Sequence, residues 1–329
     1  MVRSLFSFYI FLCKEGGIMA SLKQQIFNRL DSLKRFGESK HKAKQDYKKS
    51  AELLGLKAAP NKAIGIYSKQ TCDTYKKWAL NFATWEREKH PSKEYKILDN
   101  IPKEHVGEWL KESISKGNSG YTVRLQAASI AKIMECSVKN FGIEIPRKKD
   151  DIIKRSRNET KTDKHFSIKN NKDIINFAKG SGLRRSELTQ ITTEQVKKDS
   201  LGNVYLDFKE KEEWRKMTKG GRGRIVHVIS DFKEHIWKCK TESEKENRGK
   251  VFIKINKNMD VHSYRREYAK EKYKEIEKDL SHDYETKLKK DYICRDKSGR
   301  RYNRKILERL VEDLGHTNQL STVVNHYLK

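Results

Sequence analysis

The strongest constraint on the fold is a series of aromatic side chains at helical spacing in the first half of the chain. It comprises Tyr75, Trp78, Phe82 and Trp85, which recur at steps of three and four residues. Such spacing places all four side chains on one face of a helix. An aromatic stripe of this kind is typical of a helix packed into a core. We therefore predict a core helix that ends at Pro91.

Further helices are predicted on either side of this one. Pro102 begins a helical stretch, and a turn at 117–120 separates it from a long helix over 122–139. With the aromatic helix, these elements indicate a compact bundle of about four helices over residues 61–148. The basic, helix-prone segment before it, 19–60, is interpreted either as an arm that contacts a polyanion or as a solvated helix.

The charge balance points to a polyanionic partner. The 329 residues include 73 Lys and Arg against 45 Asp and Glu, a formal net charge of +28. Such a charge opposes compaction of the chain, and neutralising phosphates releases counterions, so nucleic acid is the first expectation. An anionic membrane surface, or a ribosome-associated or packaging role, stays open on charge alone.

Cysteine usage predicts a reduced compartment. The five cysteines form no CxxC pair, and no His or Cys lies at zinc-finger spacing. These features argue against a zinc site and against a disulfide framework. A cytoplasmic protein is the expectation that follows.

The first residues contain an apolar run, 5–13, similar to a short signal peptide or anchor. The run is too short to span a bilayer, and no small-residue cleavage site follows it. The KEGGIMA segment after it favours a misassigned start, because Lys-Glu-Gly-Gly can be encoded by a purine-rich sequence resembling a bacterial ribosome-binding site. We therefore predict that residues 1–18 are a non-native upstream extension, that Met19 is the first residue, and that no membrane is involved.

The second half of the chain has a mixed pattern. A charged stretch, 149–164, is interpreted as a linker near the polyanion or as a solvated loop, and a mixed domain over 165–329 follows. Two alternating segments, 204–208 and 225–229, predict strands, and the glycine-rich turn at 220–223 predicts that they form a hairpin. Because the rest is predicted to be helical, the expected fold class is mainly α with a small β-sheet.

Two short segments hold residue pairs suited to binding an anion. SGLRRSEL places Arg184 and Glu187 three residues apart, where they can share a helical face. HSYR places His262 and Arg265 three apart, so that both can donate to one phosphate. Neither pair is specific alone, because arginine and histidine are common on protein surfaces.

Three single residues extend this set. His316 follows an apolar-faced helix predicted to end at Gly315, where a histidine is also favourable as a cap. Tyr327 lies on the apolar face of LSTVVNHYLK, which by itself predicts a buried core tyrosine. Lys219 directly precedes the glycine-rich turn.

The order of these segments resembles that of the tyrosine recombinase family, which includes phage-type integrases. GLRRSEL, the lysine-bearing TKGGRGRIVHV, HSYR and LGHTNQLSTVVNHYL follow one another as in the family, behind a basic helical domain, and the resemblance covers Ser68 to the end. It implies a helical, SAM-like core-binding domain over 61–148 and an α/β catalytic domain over 165–329 that together clamp duplex DNA.

The sequence departs from the family's pattern at two places. A charged segment around 270–302, predicted to be helical, is inserted between Arg265 and His316. Only two residues follow Tyr327, whereas many relatives have a tail that docks onto a neighbouring subunit.

The resemblance also implies chemical roles. The family forms a 3′-phosphotyrosyl link, which makes Tyr327 the nucleophile. Arg184 and Arg265 would stabilise negative charge on the phosphate in transit, because guanidiniums match phosphate geometry. Lys219 would donate a proton to the leaving 5′ oxygen.

Three further residues receive supporting roles by the same resemblance. His262 would accept the tyrosine proton or assist its transfer, and His316 would hydrogen-bond the scissile phosphate. Glu187 would orient an arginine. No metal and no cofactor is implied.

The implied activity is integration or excision of a mobile element by strand exchange between double-stranded DNA attachment sites. Strand exchange needs four active sites, which implies a homotetramer on DNA, with an excisionase or DNA-bending accessory protein as a further partner. The alternatives are a type IB topoisomerase, a telomere resolvase, or a basic DNA- or RNA-binding protein that forms no covalent adduct. A helical domain followed directly by a compact catalytic region favours a recombinase.

Overall fold

The structure, a computed structural model, describes residues 20–55, 65–147, 165–283, 293–296, 298–316 and 320–328. The chain forms two compact units, the N-terminal unit Met1–Lys149 and the C-terminal unit Asp150–Lys329. Their elements are mainly helices with two small antiparallel sheets, which confirms the predicted fold class. The predictions for 1–18 and for a linker at 149–164 lie outside the described residues.

The N-terminal unit is helical, and serine side chains define several helix starts. Ser21, Ser39, Ser68 and Ser119 each accept a hydrogen bond from a backbone N–H in the first turn of the following helix. Pro102 precedes the remaining helix, as predicted. The helices are α1 (Leu22–Ser32), α2 (Lys40–Leu53), α3 (Lys69–Lys89), α4 (Lys103–Ser115) and α5 (Gly120–Ile133).

The aromatic series lies on α3, and Phe82 is its buried member. Tyr75, Trp78 and Trp85 are half-buried and pack against the same core. The aromatic rings therefore belong to the core, as predicted.

The prediction for the basic N-terminal segment is wrong in part. Helix α1 buries Ile26 and Leu30 in the core of the N-terminal unit, so it is not a solvated helix, whereas α2 is mostly exposed. That this segment contacts a polyanion stays a prediction. The last helix of the bundle is also shorter than predicted. Helix α5 ends at Ile133, because Glu135 has a left-handed backbone (φ 51°) that a helix cannot continue through.

The C-terminal unit combines helices with two sheets. Its helices are α6 (Lys172–Ser181), α7 (Arg185–Leu188), α8 (Glu212–Met217), α9 (Lys233–Lys245), α10 (Val261–Asp283), α11 (Arg304–Asp313) and α12 (Leu320–Val323), the last followed by a π-helical turn, Val324–Leu328. Its strands are β1 (Val196–Lys198), β2 (Val204–Asp207), β3 (Ile225–His227), β4 (Ile293–Arg295) and β5 (Arg301–Asn303).

The predicted strand pair exists, but its connection differs from the prediction. Strands β2 and β3 pair antiparallel, with Leu206 opposite Val226, and β1 extends the sheet. The connection contains helix α8, so the glycine-rich turn follows a helix and is not the tip of a tight hairpin. Lys219 lies in this turn, just after α8.

The charged insertion is not entirely helical, contrary to the prediction. Helix α10 runs to Asp283, but β4 and β5 then form a two-stranded antiparallel sheet. Tyr273 on α10 holds this sheet, since its hydroxyl accepts a hydrogen bond from the Asn303 N–H at 2.8 Å.

Helix α11 has the predicted apolar face. Its buried side chains include Ile306, Leu307, Leu310 and Val311, and Gly315 follows with a left-handed backbone (φ 59°). Across the described parts of both units, every helix is too short or too polar to cross a membrane.

Candidate active site

Helix α6 ends at Ser181, and Gly182 turns the chain toward Arg184, the first arginine of the site. Gly182 has φ 60° and contacts the ring of Tyr268 so closely that a Cβ would lie 2.3 Å from it. Only glycine meets both conditions. Arg184 follows in extended backbone at the start of α7. Its N–H donates to Glu187 Oε2 at 2.8 Å and its guanidinium to Glu187 Oε1 at 3.0 Å, the proximity that their spacing predicted.

Glu187 is a fully buried carboxylate that binds two guanidiniums. Arg224, also buried, donates to both of its oxygens, at 2.9 and 2.8 Å. Burial alone would raise the pKa of Glu187, but the hydrogen bonds and charge of Arg224, with the charges of Arg265 and Arg184, lower it to about 2. Three guanidiniums thus surround one carboxylate, which leaves an excess of positive charge.

Arg265 lies in the first turns of α10 and is 1% exposed. Its guanidinium donates to the carbonyls of Gly182 and Leu314 and, through Nε, to the Tyr327 hydroxyl at 3.3 Å. Arg184 donates to the same Leu314 carbonyl at 2.9 Å. The two arginines therefore converge on the loop that follows α11.

His316 lies just after α11, and Tyr327 lies in the π-helical turn after α12. The His316 Nε2 lies 3.3 Å from the Tyr327 hydroxyl. Burial, followed by the charges of Arg265, Arg184 and Lys219, lowers the pKa of His316 to about 4. The imidazole is therefore neutral at neutral pH, so attraction of a charged histidine to the helix end does not explain its position. Tyr327 is buried, but its hydroxyl faces polar groups.

Packing explains why the residue before His316 is a glycine, Gly315. A Cβ on Gly315 would lie 2.9 Å from the side chain of Arg224, and the backbone there is left-handed. Any other residue would push Arg224 away from Glu187.

Two predicted site residues lie at the edge of this cluster. His262 lies one turn before Arg265, and part of its side chain is accessible to solvent. Loss of hydration on its other side, followed by the charge of Arg265, lowers its pKa. Lys219 is exposed, and its charge reaches His316. Among the described residues, neither side chain forms a hydrogen bond with Tyr327.

Sequence reasoning missed a second layer of polar groups around the buried Asp313. Asp313 accepts from His227 Nδ1 at 2.8 Å and from the Tyr268 hydroxyl at 3.1 Å. The hydrogen bond to Asp313 raises the pKa of His227. The other missed residue is Arg224, whose signal was available: Arg224, Val226 and Val228 alternate as the buried side of a strand.

Comparisons with known proteins give similarity at the level of three-dimensional structure. No family model matches the sequence, and no curated protein matches it. One similar solved structure is the Tn1549 transposon integrase in complex with transposon right end DNA, at 14% identity and a TM-score of 0.40, covering 87% of this chain and 94% of that one. Another is the XerH site-specific recombinase bound to difH substrate in a pre-cleavage complex, at 15% identity and a TM-score of 0.45, covering 96% and 88%.

Proposed function

We propose that the chain is a site-specific DNA recombinase of the tyrosine type, which cuts and rejoins DNA through a 3′-phosphotyrosyl intermediate to integrate or excise a mobile element. The observation that supports this proposal is the contact of the Tyr327 hydroxyl with both Arg265 Nε and His316 Nε2, each at 3.3 Å. An ordinary core tyrosine has no need of a guanidinium and a neutral imidazole at its hydroxyl.

The arginines would bind the scissile phosphate. Backbone carbonyls already fix both guanidiniums, so little rearrangement is needed when charge develops on the phosphate. Of the five N–H groups of an arginine, Arg265 uses three on Gly182, Leu314 and Tyr327. Arg184 likewise uses three, on Glu187, Leu314 and Gly315, but it is less buried, so its remaining donors would be more accessible to the phosphate.

The proton of Tyr327 would pass to a histidine as its oxygen attacks phosphorus. Geometry favours His316, whose Nε2 is at hydrogen-bond distance, as the acceptor, and leaves His262 to donate to the phosphate. A bound phosphate anion would offset the arginine charges that now lower the pKa of His316, making it a better base once DNA is bound.

Cleavage is complete when the bond from phosphorus to the 5′ oxygen breaks and Lys219 protonates that oxygen. The phosphodiester energy is kept in the tyrosyl link, so the reverse attack by a 5′ hydroxyl rejoins a strand without a nucleotide. A homotetramer on two double-stranded attachment sites would supply the four active sites that strand exchange needs.

The proposal is tested by trapping the adduct. Nicked duplexes with randomised half-sites lose the short fragment that carries the new 5′ hydroxyl on cleavage, so the covalent complex accumulates and survives denaturation in SDS. We expect a protein-linked DNA whose sequence identifies the target. DNA that is bound but never becomes covalently linked in any duplex would instead make the chain a non-enzymatic basic DNA-binding protein.

Removal of the first arginine should slow cleavage strongly. Arg184→Ala is expected to reduce the rate of adduct formation by about 10² or more, as for other charge-stabilising donors. Arg184→Lys should rescue poorly, because a lysine lacks the forked geometry. Single-turnover cleavage measures both. The control is Arg222→Ala, which removes an exposed charge near Lys219; equal losses in Arg184→Ala and Arg222→Ala would reduce the role of Arg184 to general charge.

The role of Lys219 can be isolated with a sulfur substrate. Lys219→Ala should block cleavage of normal DNA, whereas sulfur at the bridging 5′ position should restore it, since a thiolate leaves without a proton. Lys216 is the matched control because it is exposed and pairs with Glu212 at 2.8 Å. If sulfur rescues Lys216→Ala and not Lys219→Ala, the general acid is Lys216.

A further inference from the structure

Three metal-ligating side chains meet in the N-terminal unit, outside the candidate active site. Glu86 lies in the last turn of α3, His90 directly follows the end of that helix, and His105 lies on α4. One ligand atom from each lies within 4.8 Å of the other two. The end of α3 and the residue that follows it therefore supply two ligands toward one from α4.

The buried carboxylate of Glu86 is only half satisfied. Its side chain is 1% exposed, and Oε1 lies 2.8 Å from His105 Nδ1. Within the part of the chain that the structure describes, Oε2 has no hydrogen-bond partner. A carboxylate oxygen buried without a partner is costly, which is a reason to expect a ligand there.

The His90 imidazole is in a similar state. Its Nε2 is buried and makes no hydrogen bond to any described residue, although Glu108 Oε2 lies 3.3 Å away. The His90 and His105 rings stack with centroids 3.7 Å apart, and Tyr95 packs edge-on against both. The two imidazoles are therefore held side by side next to the unsatisfied carboxylate.

We propose that Glu86, His90 and His105 bind a divalent transition-metal ion of the zinc class, with Glu108 or water as the fourth ligand. Two imidazole nitrogens and a carboxylate suit such an ion, and bonds of about 2.0–2.2 Å require the ligand atoms to move closer together. Binding releases the proton of the Glu86–His105 hydrogen bond, and the two imidazoles rotate out of their parallel stack so that the plane of each ring contains the ion. A cleft of about 540 Å³, lined by Glu86, His90 and Tyr95, gives the ion a route in.

Such an ion would link α3 to α4 and stabilise the N-terminal unit; it has no part in phosphoryl transfer. The sequence argued against a zinc site because it has no CxxC pair and no His or Cys at zinc-finger spacing. This set has the pattern Glu-x3-His across the end of one helix and His-x2-Glu on the next, which becomes a site only when the helices pack together.

The test uses the full chain, freed of metal with EDTA and then titrated with Zn²⁺ in competition with a chromophoric chelator. Glu86→Gln keeps the shape of the side chain and removes its charge, and His90→Ala removes a partly exposed ligand. We expect each to weaken Zn²⁺ binding by about 100-fold or more, beyond the usual effect of changing an outer-shell partner. Zn²⁺ should raise the Tm of the wild type and leave the Tm of both variants unchanged.

A second metal and a control variant complete the design. Co²⁺ should give visible absorption typical of nitrogen and oxygen ligation in the wild type, and this should be lost in both variants. His235→Ala is the control, because His235 neighbours Cys239 and Asp173 in the C-terminal unit and could bind metal there. Unchanged binding in Glu86→Gln and His90→Ala, or a loss only in His235→Ala, would overturn the proposal.

Discussion

Replacing Tyr327 with phenylalanine is expected to abolish the covalent protein–DNA adduct and to change DNA affinity by no more than about twofold, because no charge is lost. The substitution removes one oxygen and leaves the ring packed in the core of the C-terminal unit. That oxygen is the proposed nucleophile, and no other group on the ring can attack phosphorus. The adduct is measured in SDS on the substrate identified by trapping, and the affinity by fluorescence anisotropy on an uncleavable duplex.

Tyr302 provides the matched control. It is buried in the same unit, and its hydroxyl donates a hydrogen bond to Asp296 Oδ2 at 3.3 Å. Tyr302→Phe therefore removes a second buried tyrosine hydroxyl, away from Arg265 and His316, and should leave adduct formation intact. An adduct that persists in Tyr327→Phe and disappears in Tyr302→Phe would move the nucleophile to Tyr302.

The helical part of the fold was predictable because its signals are local. The aromatic spacing on α3, Pro102 before α4 and the apolar face of α11 each depend on neighbouring residues. The errors occur where tertiary contacts decide. Helix α1 is basic overall, yet Ile26 and Leu30 suffice to place one face in the core. Strands β1, β4 and β5 have three residues each and lack the longer alternating segment, 225–229, that revealed β3.

Part of the candidate site could also be predicted from the sequence, but from the order of its segments and not from local spacing. The order of the segments in the chain selected Arg184, Arg265, His316 and Tyr327, which the structure brings together. The alternation of Arg224, Val226 and Val228 marks Arg224 as buried, but spacing could not show that it joins them, since its carboxylate partner Glu187 lies 37 residues away in the chain. Nor could it show which histidine faces the tyrosine hydroxyl, because the loop after α11 determines that contact.

The ion network behind the site gives a prediction about stability. Glu187 is fully buried and contacts both Arg224 and Arg184. Removing one member of a buried ion pair leaves the other charge uncompensated, which typically costs about 3–5 kcal/mol. Glu187→Gln should lower the free energy of unfolding of the C-terminal unit by this amount at pH 7, even though the amide fills the same volume.

Acid should reveal the same interaction in the wild type. The folded-state pKa of Glu187 is about 2, below the ordinary value of 4.5, so its contribution is present above pH 4.5 and is lost as the pH falls toward 2. The stability difference between wild type and Glu187→Gln should therefore shrink over that window, because the protonated wild-type side chain is then also neutral.

Urea unfolding measures this difference, with hydrogen exchange of peptides from α6 and α7 assigning the transition of the C-terminal unit. Glu212→Gln is the matched control, since Glu212 forms an exposed pair with Lys216 and such pairs contribute about 0–1 kcal/mol. A loss below about 1 kcal/mol in Glu187→Gln would mean that Arg224 and Arg184 find other partners when the carboxylate is gone. Arg224 is buried and Gly315 lies against its side chain, so we expect it to find no other partner. In Glu187→Gln, Arg224 would therefore be displaced from its place beside the loop that leads to His316. The free energy of unfolding and the rate of cleavage of this variant should then fall together.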